Sequence, residues 1–120
     1  MALDWRIRCD SPLELGSGLG ALAWAPQKGA IDAKFRDLAL LVRGRGGGET
    51  LKIAAGAKTH TVQHLCQELG VLPWMRDALP LLFVENELIA VADLWLETRW
   101  CAAADTIGFA PAWMRAPIIT

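Results

Sequence analysis

The sequence predicts an α+β domain with mainly antiparallel sheets and a central pair of short helices. Short apolar runs typical of strands occur in both halves of the chain. Between them lies a segment with the apolar spacing of a helix, followed by a short segment bounded by prolines. With 120 residues we expect a single domain. Its parts are a leading hairpin region at 1–37, a core at 38–96 and C-terminal edge strands at 97–120.

The N-terminal third predicts strands separated by turns. Residues 4–8 alternate polar and apolar side chains, which is typical of a half-buried strand. A hairpin is expected next, because apolar residues recur at period two on both sides of the Gly-Ser-Gly at 16–18. Residues 25–32 contain a proline and a glycine and predict a loop. Residues 38–43 form a nearly continuous apolar run and predict a buried strand.

The segment 61–70 predicts an α-helix. Its apolar residues fall on one helical face, at Val62, Leu65, Cys66 and Leu69. Thr61 is suited to cap the N-terminus, because its hydroxyl can accept a free backbone N–H. Gly70 is suited to the left-handed C-terminal cap, because it lacks the Cβ that penalises this conformation.

A short helical turn and a second hairpin follow. Pro73 suits the first position of a helical turn over residues 73–79, and Pro80 ends it. Residues 81–84 and 88–92 then predict two strands joined by a polar turn.

The tail and the tryptophans complete the predicted fold. Pro111 and Pro117 favour edge strands over a central strand in the tail. Trp113 fits no clear pattern. The other five tryptophans lie in apolar patterns and are expected in the core: Trp5, Trp24, Trp74, Trp95 and Trp100.

The glycine-rich segment 42–52, VRGRGGGETLK, is not a nucleotide-binding motif. A P-loop requires Gly-Lys followed by Ser or Thr at the start of a helix, and this segment has neither. The dinucleotide fingerprint requires a third glycine where Thr50 stands. We therefore expect no ATP site in this chain.

The reactive side chains form no catalytic or metal-binding set. His60 and His64 lack a third ligand, so we expect a surface or capping role. Asp77 and Asp93 have apolar neighbours in sequence, so we expect them to be the most buried acids and to accept hydrogen bonds. The cysteines are widely spaced and odd in number, which favours reduced, mostly buried thiols: Cys9, Cys66 and Cys101. Cys66 lies on the apolar helix face, so burial should raise the pKa of its thiol.

The charge is unevenly distributed. Residues 34–76 hold seven Lys or Arg against three Asp or Glu, although the whole chain has a net charge of -1. A basic middle favours a polyanionic partner, while simple solvation of the surface stays open as the alternative. No apolar run approaches the roughly 20 residues of a membrane helix, and early charges argue against a signal peptide. We expect a cytoplasmic protein with no membrane partner.

Three motifs occur in this order: VRGRGGGE at 42–49, GVLPWMRDALPLL at 70–82 and AVADLW at 90–95. Together they resemble the C-terminal domain of tRNA(Ile)-lysidine synthetase. The resemblance implies a layered fold similar to a domain of the phenylalanyl-tRNA synthetase β subunit. It also implies a parent enzyme that uses ATP and magnesium, in an N-terminal domain, to join lysine to the wobble cytidine of tRNA(Ile).

That catalytic domain carries an SGGxDS motif, which does not occur in this sequence. The chain is therefore expected to be the C-terminal piece alone, without catalytic residues or a cofactor of its own. The partners that the resemblance implies are tRNA(Ile) and the N-terminal and central domains of the parent. An interdomain docking module, or a homodimer, is the alternative.

The resemblance also suggests site residues. The expected RNA contacts are Arg43, Arg45, Lys52, Lys58 and Arg76. The residues expected to shape the turns are Gly47, Gly48, Gly70, Pro73, Trp74, Asp77 and Pro80. Two alternatives stay open: Arg76 pairing with Asp77 or Glu68, and Glu49 pairing with Arg43 or Arg45. The family's further basic residues are replaced here at Thr50, Gly56-Ala57 and Gln63-His64. We therefore expect weaker RNA binding with a shallower salt dependence.

Overall fold

The computed structural model describes residues 2–6, 11–16, 18–54, 56 and 58–117. The strands are β1 (Ala2–Arg6), β2 (Leu13–Glu14), β3 (Ala21–Lys28), β4 (Ala39–Arg43), β5 (Thr50–Leu51), β6 (His60–Thr61), β7 (Leu81–Val84), β8 (Glu87–Val91), β9 (Trp95–Leu96) and β10 (Ile107–Met114). The α-helix α1 spans Val62–Leu69, and short 3-10 helices span Ala33–Phe35, Pro73–Ala78 and Thr98–Trp100.

The strands form antiparallel sheets. One sheet has the order β1-β4-β7-β8-β9, a second has the order β10-β3-β2, and β5 pairs with β6. The predicted α+β class with mainly antiparallel pairing is confirmed, and α1 with the Pro73–Ala78 turn is the central helical pair. The strand predicted at 4–8 is observed at Ala2–Arg6, while residues 7–10, including Cys9, lie outside the described residues.

A single apolar core joins the helix to the sheets. In β4 the buried side chains are Leu40 and Val42, which alternate with the exposed Ala39 and the partly buried Leu41, so one face of the strand meets the core. Val62 and Leu65 of α1 belong to the same cluster of buried side chains. Each fully buried aliphatic side chain of this kind contributes about 1.5–3 kcal/mol of apolar burial.

The predicted caps of α1 are confirmed. The hydroxyl of Thr61 accepts the His64 N–H at 3.0 Å. Gly70 adopts φ 84°, and its N–H donates to the carbonyls of Cys66 and Gln67. Leu69 was wrongly assigned to the buried face, because it is 46% exposed at the last helical position.

The loop predicted at 25–32 is wrong in its first half. Strand β3 continues to Lys28, and Pro26 lies opposite Phe109 of β10. The strand β2 pairs only with Ala21 and Leu22 of β3, so the other edge of β3 is free at Pro26. A proline is tolerated there because its missing N–H removes no ladder hydrogen bond. As expected, Pro111 lies on an edge strand, since β10 is the outer strand of its sheet.

Two tryptophans lie where the sequence did not place them. Trp74 was expected in the core but is 73% exposed, whereas Trp113 is buried and donates its indole N–H to the Leu19 carbonyl at 2.6 Å. Trp74 lies on the 3-10 turn Pro73–Ala78, which has about three residues per turn. Met75 and Ala78 face inward there, so Trp74 and Asp77 share the outer face.

The buried acids are also different from those expected. The Asp77 side chain is 75% exposed, and Asp93 is exposed as well, although its carboxylate accepts the backbone N–H of Trp113 at 3.5 Å. Apolar neighbours in sequence do not bury an acid when it lies on the outer face of a turn. Of the acids that the structure describes, the buried one is Glu97, at 4% exposure, which the sequence did not single out.

Candidate functional site

The glycine-rich segment leaves the end of β4 and folds around a carboxylate of its own. Oε2 of Glu49 accepts the Gly46 N–H at 2.6 Å, and Oε1 accepts the Gly47 N–H at 2.9 Å. The Arg43 guanidinium lies 3.4 Å from Oε2. Gly47 and Gly48 have φ values of 102° and 78°, a region that favours glycine. The backbone amides that a phosphate would need are thus already occupied by Glu49.

Glu49 is ionised in this arrangement. Burial of the carboxyl raises its pKa, but hydrogen bonds from the backbone of Gly46, Glu49 and Gly47, and from Arg43, lower it by more. The net effect is a pKa below the usual value. Of the two partners that the sequence left open for Glu49, the structure gives it Arg43. The Arg43 guanidinium also lies 4.0 Å from the centre of the Phe83 ring.

A cleft of about 520 Å³ adjoins the glycine turn. It brings together Arg43 and Lys52 from the predicted set with Arg99, which sequence reasoning missed. No spacing in the sequence relates Arg99 to the turn, because the 3-10 helix that carries it reaches the cleft only through the fold. Three acids line the same cleft and balance its three basic residues; these acids are Glu49, Glu87 and Glu97.

The acids of the cleft hold specific donors. The Glu97 carboxylate accepts the backbone N–H of Lys52 at 3.0 Å and that of Arg99 at 3.2 Å. The Arg99 guanidinium lies 2.7 Å from Glu87 and 3.4 Å from Glu97. Because Arg99 is engaged by two acids, it is less available to an external anion than a lysine without an ion pair.

Arg45 and Arg76 lie together at a second place, the corner formed by the Pro73–Ala78 turn. The Arg45 guanidinium lies 3.3 Å from Asp77, and its Nε is buried without a hydrogen-bond partner. Nε of Arg76 donates to the Val71 carbonyl at 3.3 Å. Both pairings left open for Arg76 are replaced, since Asp77 pairs with Arg45 and Glu68 with His64.

The two thiols that the structure describes are not activated. Burial raises the pKa of the Cys66 thiol, and the nearby charges of Arg76 and Arg45 only partly offset this effect. Burial, followed by the charge of Glu97, raises the pKa of the Cys101 thiol. Both thiols are therefore protonated at neutral pH, which agrees with the inert role expected for Cys66.

Lys52 and Lys58 occupy the loop between β5 and β6. Lys58 is exposed and Lys52 is partly exposed. Within the described ranges, neither ammonium group has an ion pair, in contrast to Arg43 and Arg45. The five predicted basic residues are therefore divided between the cleft, the corner and this loop, and the two lysines are the most available to an anion.

The histidines stack rather than converge on a metal. The rings of His60 and His64 lie 5.3 Å apart at 11°, and His64 Nε2 lies 2.8 Å from Glu68. Among the residues that the structure describes, no group of three or more His, Cys, Asp and Glu side chains is placed to hold a metal ion. In the same part of the chain, no helix is long and apolar enough to cross a membrane.

The fold and the site define a small α+β domain with a basic, glycine-rich turn at the end of a central strand. The family model described as the TilS substrate C-terminal domain matches residues 40–113, and the chain belongs to this family. It is 32% identical over 117 residues to tRNA(Ile)-lysidine synthase of Xanthomonas axonopodis pv. citri (strain 306), covering 85% of this chain and 26% of that protein.

Two further relatives have the same name. The tRNA(Ile)-lysidine synthase of Methylococcus capsulatus is 29% identical, with 87% of this chain and 24% of that protein covered. That of Salmonella typhi is 34% identical, with 86% and 23% covered. The chain thus spans about a quarter of the length of these curated relatives.

Proposed function

We propose that this chain is the tRNA-holding domain of a tRNA(Ile)-lysidine synthase, and that it contributes binding rather than chemistry. The observation that carries the proposal is the family match at residues 40–113, which contains most of the basic segment 34–76. Phosphates of RNA attract such a segment electrostatically, without any need for base-specific contacts.

The geometry divides the basic residues by role. Arg43 and Arg45 stabilise the glycine turn and the corner through Glu49 and Asp77, so their charge is largely used within the fold. Lys52, Lys58 and Arg76 supply the charge toward RNA. Two or three neutralised phosphates give a binding constant that falls roughly 10- to 30-fold between about 50 and 200 mM salt.

In this proposal the chemistry belongs to the parent protein in the cytoplasm. Its N-terminal domain would use ATP and magnesium to join lysine to the wobble cytidine of tRNA(Ile). The glycine turn of this chain does not fit a nucleotide phosphate, because Glu49 already accepts the N–H groups of Gly46 and Gly47. The role left to this chain is to hold the tRNA while the reaction proceeds elsewhere.

Titration of the chain with an unmodified tRNA(Ile) transcript at about 50 and 200 mM salt tests the proposal. Lys58→Gln should lower the affinity about 2- to 5-fold and make the salt dependence shallower, because one phosphate contact is lost. Lys28→Gln, which removes an exposed charge on β3, is the matched control and should change neither quantity. Absence of binding at both salt concentrations would contradict the proposal.

A second cleft supports a second candidate function, docking of another domain of the parent or of a second copy. The cleft measures about 810 Å³ and lies between the β3–β10 sheet and the segment around β9. Its walls are rich in apolar and small side chains, and Ile53 beside it is 40% exposed. Light scattering separates the two kinds of partner, because only self-association gives a mass that rises with concentration.

A further inference from the structure

Trp74 presents a large aromatic surface to solvent. Its side chain is 73% exposed, against 53% for Ile107 and 46% for Leu69. The other described tryptophans are partly or fully buried. An exposed tryptophan contributes little to the folded core, so its ring is available to a partner.

The backbone holds Trp74 in a fixed position. Pro73 precedes it at the start of the 3-10 turn, and its ring fixes one dihedral angle of the backbone. The Met75 N–H donates to the Leu72 carbonyl at 2.8 Å, which closes the turn around the tryptophan. Since the backbone of the turn is already ordered, binding through this ring costs little backbone conformational entropy.

Charged residues belong to the same turn as Trp74. Asp77, three residues later, shares its face of the 3-10 turn and lies 3.3 Å from the Arg45 guanidinium. Arg76 belongs to the same turn, and the charges of Arg76 and Arg45 both act on the buried Cys66 thiol, where they partly offset the rise in pKa that burial causes. The corner therefore combines one flat aromatic surface with two cations, one of which, Arg45, is paired with Asp77.

We propose that Trp74 is a stacking platform for a nucleobase of the bound RNA, either unpaired or at the end of a helix, with Arg76 facing an adjoining phosphate. This inference rests on the proposed function. Aromatic rings beside cations are a common means of binding exposed bases. The centre of a protein interface is depleted in charge, so a ring set among Arg45, Asp77 and Arg76 is better suited to a base than to an apolar partner.

Trp74→Leu and Trp74→Phe test the inference with the same tRNA(Ile) transcript. Trp74→Leu should lower the affinity about 10-fold at every salt concentration, because stacking releases no counterions, and Trp74→Phe should restore most of it. Ile107→Ser, which changes an exposed apolar residue on β10, is the control and should bind like the wild type. All variants should keep the wild-type melting temperature, because both side chains are exposed.

The outcomes separate the two proposals. Failure of the wild-type chain to bind the transcript at either salt concentration overturns the proposed function and the stacking role with it. The stacking role alone is overturned if Trp74→Leu binds the transcript as tightly as the wild type. It is also overturned if Trp74→Phe loses as much affinity as Trp74→Leu. Iodide quenching gives an independent measurement. The part of the tryptophan fluorescence that is lost in Trp74→Leu comes from Trp74, and in the RNA complex it should become less accessible to iodide. If that fluorescence stays accessible in the complex, Trp74 faces another partner and the inference is wrong.

Discussion

Oε2 of Glu49 lies 2.6 Å from the backbone nitrogen of Gly46, and the neighbouring Gly47 amide binds the other carboxylate oxygen. A glycine-rich turn with converging N–H groups is the kind of structure that binds phosphate in other proteins. Here the chain provides its own anion. The carbonyl of Glu49 also accepts the N–H of Val62, so the same residue links the turn to the start of α1.

Glu49→Gln should destabilise the fold. The amide retains the shape of the side chain but replaces one acceptor oxygen by a donor, which leaves a turn N–H or Arg43 without its charged partner. We expect a loss of about 1–2 kcal/mol in the free energy of unfolding. Urea denaturation measures it, with Glu85→Gln in the exposed β7–β8 turn as the control. Equal stability of the two variants would show that the carboxylate does not hold the turn.

The stability of the protein should depend on Glu49 in acid. Its pKa in the folded state lies below the ordinary value of 4.5, so protons bind the unfolded chain more readily as the pH falls. The stabilisation is complete above the unfolded pKa and disappears as the pH falls through the folded pKa. Between about pH 7 and pH 3, the wild type should lose more stability than Glu49→Gln. Parallel pH profiles for the two proteins would contradict this prediction.

Gly48→Ala should destabilise the turn through the backbone alone. Gly48 has φ 78°, and a Cβ there would meet no atom within 4 Å, so strain rather than a clash is expected. The cost is about 1–2 kcal/mol in the free energy of unfolding. Asparagine tolerates this conformation better than alanine. Thermal denaturation should therefore rank Gly48→Asn above Gly48→Ala, and the reverse order would rule out backbone strain as the cause.

The same substitution should destabilise the fold at Trp113 and have little effect at Trp74. Trp113→Phe removes the indole N–H that the Leu19 carbonyl accepts at 2.6 Å and leaves space in the core. We expect a loss of about 1–3 kcal/mol in the free energy of unfolding. Trp74→Phe changes an exposed ring and should lie within about 0.5 kcal/mol of the wild type. Equal losses would show that exposure does not separate the two sites.

Local features of the fold could be predicted where a position requires a particular hydrogen-bonding group or backbone conformation that few residue types provide. Thr61 and Gly70 cap α1 because a hydroxyl acceptor and a left-handed backbone are required at those two positions. The apolar run of β4 predicted a buried strand, but only one face, at Leu40 and Val42, is fully buried, while Ala39 is exposed and Leu41 is partly buried. Pro26 misled the prediction, because a proline is allowed in a strand wherever the partner strand ends early.

The candidate site could be predicted only in part. The glycine turn and its basic residues follow from the sequence, but their ion pairs do not. Arg45 reaches Asp77 across 32 positions, and Arg99 joins Arg43 at the cleft from a distant 3-10 helix. Which basic group is neutralised depends on such long-range pairs, so only the fold separates the paired arginines from Lys52 and Lys58.

The sequence by itself determined the α+β class, the helix with its caps and the resemblance to the lysidine synthetase family. These features depend on residues close together in the chain or on a motif read in order. Only the tertiary structure decided that Glu49 fills the glycine turn and that Trp74 faces solvent while Trp113 is buried. Burial and charge pairing depend on what packs against a residue from elsewhere in the chain, and no local pattern contains that information.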